Sequence, residues 1–315
     1  MSGKTVGARS VSDVVKRWRP GLLLAALVLS ATAAARAEPC ATCHADVAAE
    51  WEASSHHRSA TNAAYVAQLA REPLTFCRGC HAPSASPERP TPALAAQAGI
   101  GCMDCHAGLP ARHAKGQAPP ARACEGCHEF AFPRGTDLMQ KTASEHRGSA
   151  FASTACASCH LPPRDGHRDH RFDVEPLVAQ ALVVDVSRAG PGRLAFRLAP
   201  GSVGHAFPTG DLFRRLAVRV ATPEGGRVAE RFLGRELVSK PLPDGTVTRV
   251  EVRDDRVGAG LAPCFELKAP AGAAAVEIAL ERVDDPSTGR PLVVRSRSIA
   301  WQAIIPPDAK EHPCR

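Results

Sequence analysis

Five Cys-x-x-Cys-His motifs lie between Cys40 and His160. Their cysteines are Cys40 and Cys43, Cys77 and Cys80, Cys102 and Cys105, Cys124 and Cys127, and Cys156 and Cys159. Their histidines are His44, His81, His106, His128 and His160. Two cysteines three positions apart reach both vinyl groups of one porphyrin as thioethers, and the next histidine then lies beneath the iron as its proximal ligand. Because random placement predicts only about 0.02 such motifs in a chain of this composition, the five motifs indicate five covalently bound haem c groups.

Cysteine pairs of this spacing also occur in structural zinc sites and in thioredoxin-like redox pairs. Zinc would use the cysteines in sets of four and would not require a histidine after every second cysteine. A thioredoxin-like pair would occur once, after a strand and at the start of a helix. The regular histidine therefore favours haem attachment.

The sixth ligand of each iron decides between electron transfer and catalysis at an open position. Outside the N-terminal leader the chain has only two methionines, Met103 and Met139, and Met103 lies inside a haem motif. Histidine is therefore the expected distal ligand. The histidines outside the motifs are His56, His57, His113, His146, His167, His170, His205 and His312. They are sufficient for five bis-histidine haems.

Two of these histidines share a local sequence. His56 and His146 each occupy the histidine position of a Ser-x-His-x-x-Ser-Ala segment. The repeat predicts one ligand element used twice, with both histidines as distal ligands. Each is expected on a short helix, with Trp51 about one helical turn before His56. His113 lies in a loop rich in Pro, Ala and Gly that could fold over a neighbouring haem, and the sequence leaves its role open.

The segment after the fifth motif, residues 161–172, reads Leu-Pro-Pro-Arg-Asp-Gly-His-Arg-Asp-His-Arg-Phe. Together with the tryptophan and the Ser-His segment that follow the first motif, it resembles the cytochrome c-554-type multihaem cytochromes. The resemblance implies that such histidines are distal ligands, and so it favours His170 over His167 and His56 over His57. The segment begins with Leu where the family often has Met, a departure that affects no ligand.

The resemblance extends to residues 204–210, which read Gly-His-Ala-Phe-Pro-Thr-Gly. They are similar to a Gly-His-x-x-Pro-Thr-Gly signature found downstream of the haems in related multihaem proteins. Pro208 and Gly210 favour a tight turn that could present His205 outward. His205 is then either a distal haem ligand, which would tie the second domain to the first, or a hydrogen-bonded turn histidine.

The composition divides the chain into four parts. Residues 1–37 have a basic stretch, an apolar run and an Ala-Arg-Ala site, so we expect a signal peptide cleaved after Ala37 and a periplasmic or otherwise exported protein. Residues 38–175 hold all five motifs and few large apolar side chains. They predict a mainly irregular and α-helical pentahaem domain whose core the porphyrins supply. Residues 176–305 are richer in apolar residues, and residues 306–315 form a C-terminal tail.

Short alternating apolar stretches separated by Gly/Pro turn clusters characterise the second domain. They cover residues 182–186, 194–198, 216–220, 247–252, 275–280 and 293–299. This period-two pattern predicts an antiparallel β-sandwich of about six to eight strands. In an exported protein the two remaining cysteines, Cys264 and Cys314, predict a disulfide, with free thiols as the alternative.

The charge pattern argues against nucleic-acid binding. The chain has 39 Lys and Arg and 32 Asp and Glu, but six of the basic and one of the acidic residues lie in the leader. Haem propionates make the remainder acidic, and it contains no basic cluster with interleaved aromatic residues. The expected partners are other redox proteins as electron donor and acceptor, including a membrane-bound or outer-membrane electron-transfer complex.

These features favour electron transfer along five closely spaced, mostly bis-histidine haems over enzymatic catalysis. The alternative is a multihaem oxidoreductase that acts on a small nitrogen or sulfur compound at one open haem. A third hypothesis is a structural subunit of a larger extracellular electron conduit. The lysine-ligated motif of pentahaem nitrite reductases is absent from the sequence, which favours electron transfer.

Without haem, the N-terminal half is expected to be largely disordered, because its apolar side chains are too few to form a core. A haem-free fragment of residues 38–175 should give a poorly dispersed NMR spectrum, whereas the second domain should remain folded. A well-dispersed spectrum from that fragment would show that the porphyrins do not supply the core.

Overall fold

A computed structural model describes residues 39–71, 73–85, 99–106, 122–210, 212–258, 260, 262–284, 294–309 and 314. Residues 39–48 belong to one compact unit, and the chain from Ala49 onward forms a second. No helix in the described part of the chain is long and apolar enough to cross a membrane. The predicted signal peptide lies outside the described residues.

Short helices carry most of the haem motifs. The α-helices are α1 (Ala45–Glu52), α2 (Ala63–Arg71), α3 (Arg78–His81), α4 (Cys102–Cys105), α5 (Arg122–His128), α6 (Thr142–Arg147), α7 (Cys156–His160) and α8 (Glu175–Val178). Short 3-10 turns cover Pro39–Thr42, Thr75–Cys77 and Pro83–Ala85. Two small antiparallel hairpins lie among the helices: β1 (Glu129–Ala131) with β2 (Leu138–Lys141), and β3 (Pro163–Arg164) with β4 (His167–Arg168). The irregular, helical character predicted for this segment is confirmed.

Eight longer strands follow. They are β5 (Leu182–Arg188), β6 (Arg193–Pro200), β7 (Arg214–Ala221), β8 (Arg227–Pro241), β9 (Val247–Asp254), β10 (Cys264–Lys268), β11 (Ala274–Val283) and β12 (Val294–Ile305). Three form a sheet in the order β10-β6-β5, and five form a sheet in the order β12-β11-β7-β8-β9. All pairings within these sheets are antiparallel, as the sequence predicts.

One hydrophobic cluster contains side chains from both large sheets. Alternation along β6 and β7 places large apolar side chains on a common buried side, because successive residues of a strand point to opposite faces. The fully buried members include Leu194, Phe196, Leu198, Leu216, Val218, Val220, Leu233 and Ile278. The apolar content of the second part of the sequence therefore builds the main core of the molecule.

Two strands, β8 and β10, are absent from the alternating stretches predicted by the sequence. In β8 only Leu233 and Leu237 are buried, and charged side chains occupy many of the other positions. In β10 only Phe265 is buried. The apolar residues of β8 come in adjacent pairs rather than at alternate positions, and β10 has only five residues, so both give a weak period-two signal.

The haem-motif segment buries few apolar side chains of its own. Among the described residues between 49 and 175 the buried ones are Trp51, Tyr65, Ala82 and Phe132. Phe132 packs in a small cluster with Leu212 and Leu237, which follow in the sheet-rich part. This scarcity agrees with the expectation that the segment requires another source of core.

Polar contacts join the β1–β2 hairpin to the five-stranded sheet. Arg235 of β8 donates to the carbonyl oxygens of Leu138 and of Met139, the latter at 2.6 Å. Lys141 forms ion pairs with Glu251 at 2.9 Å and with Asp254 at 2.8 Å. Residues on both sides of position 175 therefore contact one another, and the boundary near that position stays a prediction.

Cys264 and Cys314 form a disulfide in the structure, with their Cα atoms 5.7 Å apart. Cys264 begins β10, and Cys314 lies in the C-terminal tail. The bridge closes a sequence separation of 50 residues. A cross-link of this span stabilises the fold by limiting the conformations of the unfolded chain.

Replacement of a core isoleucine should destabilise the protein far more than replacement of an exposed one. Ile278 in β11 is fully buried, whereas Ile304 in the neighbouring β12 is 59% exposed. Ile278→Ala should lower the free energy of unfolding by about 2–5 kcal/mol through lost burial and a cavity. Ile304→Ala is the matched control, with an expected change within about 0.5 kcal/mol. Chemical denaturation followed by circular dichroism measures both, and equal losses would contradict the assigned core.

Candidate haem-binding sites

The cysteines of four motifs lie on helical turns. α4, α5 and α7 each contain both cysteines of a motif, and α3 contains the second cysteine of another. Residues three apart on a helix share one face, so the paired sulfur atoms project to the same side. The ten motif cysteines form no disulfide. This arrangement suits two thioether bonds from each motif to one porphyrin.

The first motif has a tight turn of its own. Cys40 accepts hydrogen bonds through its carbonyl oxygen from the backbone N–H of Cys43 at 3.1 Å and of His44 at 2.9 Å. His44 then precedes α1 directly. The two cysteines and the histidine are thereby gathered on one turn of chain.

The fourth motif lies between other motifs. Its helix α5 packs against α3 and α4. The Cys127 side chain lies beside Cys80 of the second motif, and the Cys124 side chain lies beside Cys156 of the fifth. Side chains of three different motifs meet here. Haem groups attached to these motifs would therefore lie close to one another.

Three histidines from outside the motifs lie opposite motif histidines at almost the same spacing. The ring centroids are 6.4 Å apart for His56 and His128, 6.3 Å for His106 and His170, and 6.2 Å for His160 and His205. The angles between the ring planes are 79°, 28° and 13°, respectively.

This spacing matches a metal ion held between two imidazoles. With metal–nitrogen distances of about 2.0–2.1 Å and ring centres about 1.1 Å further back, two opposed imidazoles have centroids about 6.3 Å apart. Direct stacking would bring the rings much closer, as for Tyr65 and His81, whose parallel rings are 4.0 Å apart. The histidine pairs therefore fit haem iron with two axial ligands.

Burial favours the neutral form of three histidines in the opposed pairs, His56, His160 and His205. It lowers the pKa of His56 to about 4, with nearby His128 and His160 adding to the effect. It likewise lowers the pKa of His205 to about 4 and lowers that of His160. A metal requires the unprotonated imidazole nitrogen, so these surroundings favour the ligating form.

Hydrogen bonds to Nδ1 orient several rings. Ser59 O lies 3.1 Å from Nδ1 of His81, and Gln140 Oε1 lies 3.2 Å from Nδ1 of His128. The carbonyl oxygen of Arg168 lies 2.6 Å from Nδ1 of His170. Nδ1 donates in each case when Nε2 is the metal ligand, which fixes the tautomer and the ring orientation.

Carboxylates position the segment that carries His170. Glu50 Oε2 accepts the backbone N–H of His170 at 2.9 Å and lies 3.1 Å from Nε2 of His167. Buried Asp169 accepts from Arg171, which holds the pKa of that carboxyl well below its usual range. His170 is thereby placed opposite a motif histidine, while His167 is directed to a carboxylate.

The remaining predicted distal ligands have different settings. His146 lies on α6, as predicted, and its ring packs against Gly204, where a Cβ would come within 2.8 Å of Cδ2. Among the described residues its ring is not paired with a motif histidine at the spacing above, and its ligand role stays a prediction. His113 lies outside the described residues.

The helix predicted around His56 is wrong. The chain from residue 53 to 61 forms successive turns after α1 ends at Glu52. Buried Ser54 accepts the backbone N–H of His57 at 3.1 Å, so its side chain competes with helical hydrogen bonding. Trp51 lies against His57, with centroids 4.4 Å apart, and His56 contacts Phe172 instead, at 4.1 Å.

The family model described as cytochrome c554 and c-prime matches residues 39–107, which include the first three motifs. This match supports a c-type cytochrome. Such a cytochrome carries covalently bound haem c and serves in electron transfer with redox proteins. No curated protein and no solved structure matches the chain.

If the motifs bind haem, replacement of His170 should remove the distal ligand of one haem, whereas replacement of His167 should not. His170 faces His106, and His167 contacts Glu50. His170→Ala should convert one haem to the high-spin ferric form, quantified by EPR against the total haem content. His167→Ala, three residues away, is the control and should leave the spectrum low-spin. A high-spin signal from His167→Ala alone would reverse the assignment.

Proposed function

We propose that the protein is an exported multihaem c-type cytochrome that transfers electrons between redox partners through five covalently bound haems. The observation that carries the proposal is the set of three histidine pairs with ring centroids 6.2–6.4 Å apart. When bound, the haems supply one-electron chemistry by cycling between ferric and ferrous iron.

The residues around the haem sites suit electron transfer better than catalysis. Two histidine ligands occupy both axial positions of an iron and leave none for a substrate. His56, His170 and His205 provide the second ligand for three sites, and we propose His113 and His146 for the remaining two. Burial of the ligands limits water around them and so contributes to the reduction potentials.

The packing of the motifs supports transfer from haem to haem. Side chains of the second, fourth and fifth motifs touch one another, through Cys80 with Cys127 and Cys124 with Cys156. Porphyrins attached to these cysteines would lie within a small volume. We propose that the fourth haem is the central carrier of the chain.

The other parts of the chain have supporting roles in this proposal. Residues 1–37 direct export to the periplasm and are removed after Ala37. The two large sheets pack face to face as a β-sandwich, supported by the hydrophobic cluster that they share. This part supplies His205 and anchors the haem segment, while separate redox proteins, in solution or at a membrane, act as electron donor and acceptor.

Ferric EPR with a pyridine haemochrome count tests the proposal. We expect five haems per chain, all of them low-spin. The two pairs with ring planes 13° and 28° apart should give ordinary rhombic signals. The pair at 79° should give a signal of larger anisotropy, because crossed imidazole planes leave two iron orbitals nearly equal in energy.

The enzyme alternative makes the opposite prediction for the same sample. An oxidoreductase would show a substantial high-spin fraction in the resting ferric protein or rapid turnover of nitrite or hydroxylamine. Either result would contradict the electron-transfer proposal and favour catalysis at a haem with an open axial position. Absence of both, together with rapid reduction and reoxidation by small redox mediators, supports the carrier function.

A further inference from the structure

The loop of residues 204–210 brings His205 to the haem segment from a distant part of the chain. It connects β6 to β7, whereas His160, the histidine opposite His205, ends α7. The two rings are nearly parallel, at 13°, with centroids 6.2 Å apart. A loop must be held firmly to keep a ligand at this distance, because a metal ligand tolerates displacements of only about 0.5 Å.

Glu145 holds this loop from the haem segment. It lies on α6 and is 9% exposed. Its Oε2 accepts hydrogen bonds from the backbone N–H of Ala206 and from Oγ1 of Thr209, both at 3.2 Å. The first of these donors belongs to the residue directly after His205. Glu145 therefore fixes the backbone on which the ligand is mounted.

Arg256 completes the arrangement from the sheet side. It is 3% exposed and donates to Oε1 of Glu145 at 2.5 Å and to the carbonyl oxygen of Pro208 at 3.1 Å. Asp254 accepts from Nε of Arg256 at 2.8 Å and so orients the guanidinium. This buried ion pair thus contacts the loop at three residues, Ala206, Pro208 and Thr209.

The backbone around the loop leaves it little freedom. Phe207 pairs with Val257 as an isolated antiparallel bridge, with N–H···O distances of 2.6 and 3.0 Å. A Cβ at Gly258 would lie 2.7 Å from the Cα of Ala206, so only glycine allows this close approach. Burying the charges of Glu145 and Arg256 costs free energy unless hydrogen bonds satisfy both groups. The loop supplies such hydrogen bonds here.

We propose that Glu145, held by Arg256, is a positioning residue that keeps His205 opposite His160. Six-coordination of the haem at the fifth motif then depends on a carboxylate that does not touch the haem iron. This inference rests on the proposed function, in which His205 is the distal ligand of that haem. Loss of Glu145 should release the loop and open one axial position.

The experiment compares Glu145→Ala with Glu281→Ala in the full haem-loaded protein. Glu281 is 1% exposed and is bound by Arg215 and Arg219 within the five-stranded sheet, so it is a matched buried carboxylate away from the loop. Haem content, the high-spin ferric fraction and binding of carbon monoxide to the reduced protein are measured for each variant. Circular dichroism reports folding.

We expect Glu145→Ala to make one haem of the five high-spin and able to bind carbon monoxide. Glu145→Gln retains one acceptor oxygen and should restore part of the low-spin signal. Glu281→Ala should stay low-spin even if it is less stable. A fully low-spin Glu145→Ala, or an equal high-spin fraction in Glu281→Ala, would overturn the positioning role.

Two further variants, Thr209→Val and His205→Ala, test the same proposal independently. If Glu145→Ala does not fold, Thr209→Val removes one hydrogen bond to the carboxylate and should give a smaller high-spin fraction, whereas an unchanged spectrum would overturn the proposal. His205→Ala should give the full one-haem signal, and its absence would remove the basis of the inference. High-spin haem in the unaltered protein would instead contradict the proposed electron-transfer function.

Discussion

The distance between opposed histidine rings is the constraint on which the rest of the structure depends. An iron held by two imidazoles requires ring centroids about 6.3 Å apart, and each pair joins residues that are distant in sequence. His56 lies opposite His128, and His160 lies opposite His205, so the pairs bring distant parts of the motif-bearing segment together and link it to the loop between β6 and β7. In the proposed function, iron held at these pairs would give long-range order to a segment with few apolar side chains.

The scaffold around these pairs is polar where a typical core would be apolar. Glu50 holds the backbone of His170, and Glu145 holds the backbone beside His205. Glu145 is buried and Glu50 is partly buried, each carboxylate accepts from more than one donor, and directional bonds define position better than apolar packing does. The two large sheets, in contrast, share a conventional hydrophobic core. This core anchors the loop that carries His205.

Much of this organisation could be predicted from the sequence. The motifs identify the candidate haem cysteines and proximal histidines from the sequence alone because covalent attachment requires a fixed local spacing, and their assignment stays a prediction. The alternation that forms β6, β7 and β11 is also a local pattern, and the strands follow it. The match to a cytochrome c554 and c-prime family model over residues 39–107 agrees with the resemblance drawn from the motifs.

Contacts between distant residues could not be predicted in the same way. Nothing local in the sequence marks Glu50, Glu145 or Arg256 as contacts of the segments that carry His170 and His205, since these contacts form only when the chain folds. The turns around His56 replace the expected helix because the Ser54 side chain bonds to the backbone. The alternation does not reveal strand β8, because its apolar residues come in adjacent pairs, such as Phe232 and Leu233, and only two of its residues are buried.

The most direct test of the central claim is to locate the iron atoms by anomalous diffraction at the iron absorption edge from crystals of the haem-loaded protein. We predict five iron sites, three of which lie midway between the rings of His56 and His128, of His106 and His170, and of His160 and His205. An iron site displaced from between any of these pairs, with its motif histidine bound to a different distal residue, would contradict the assignment.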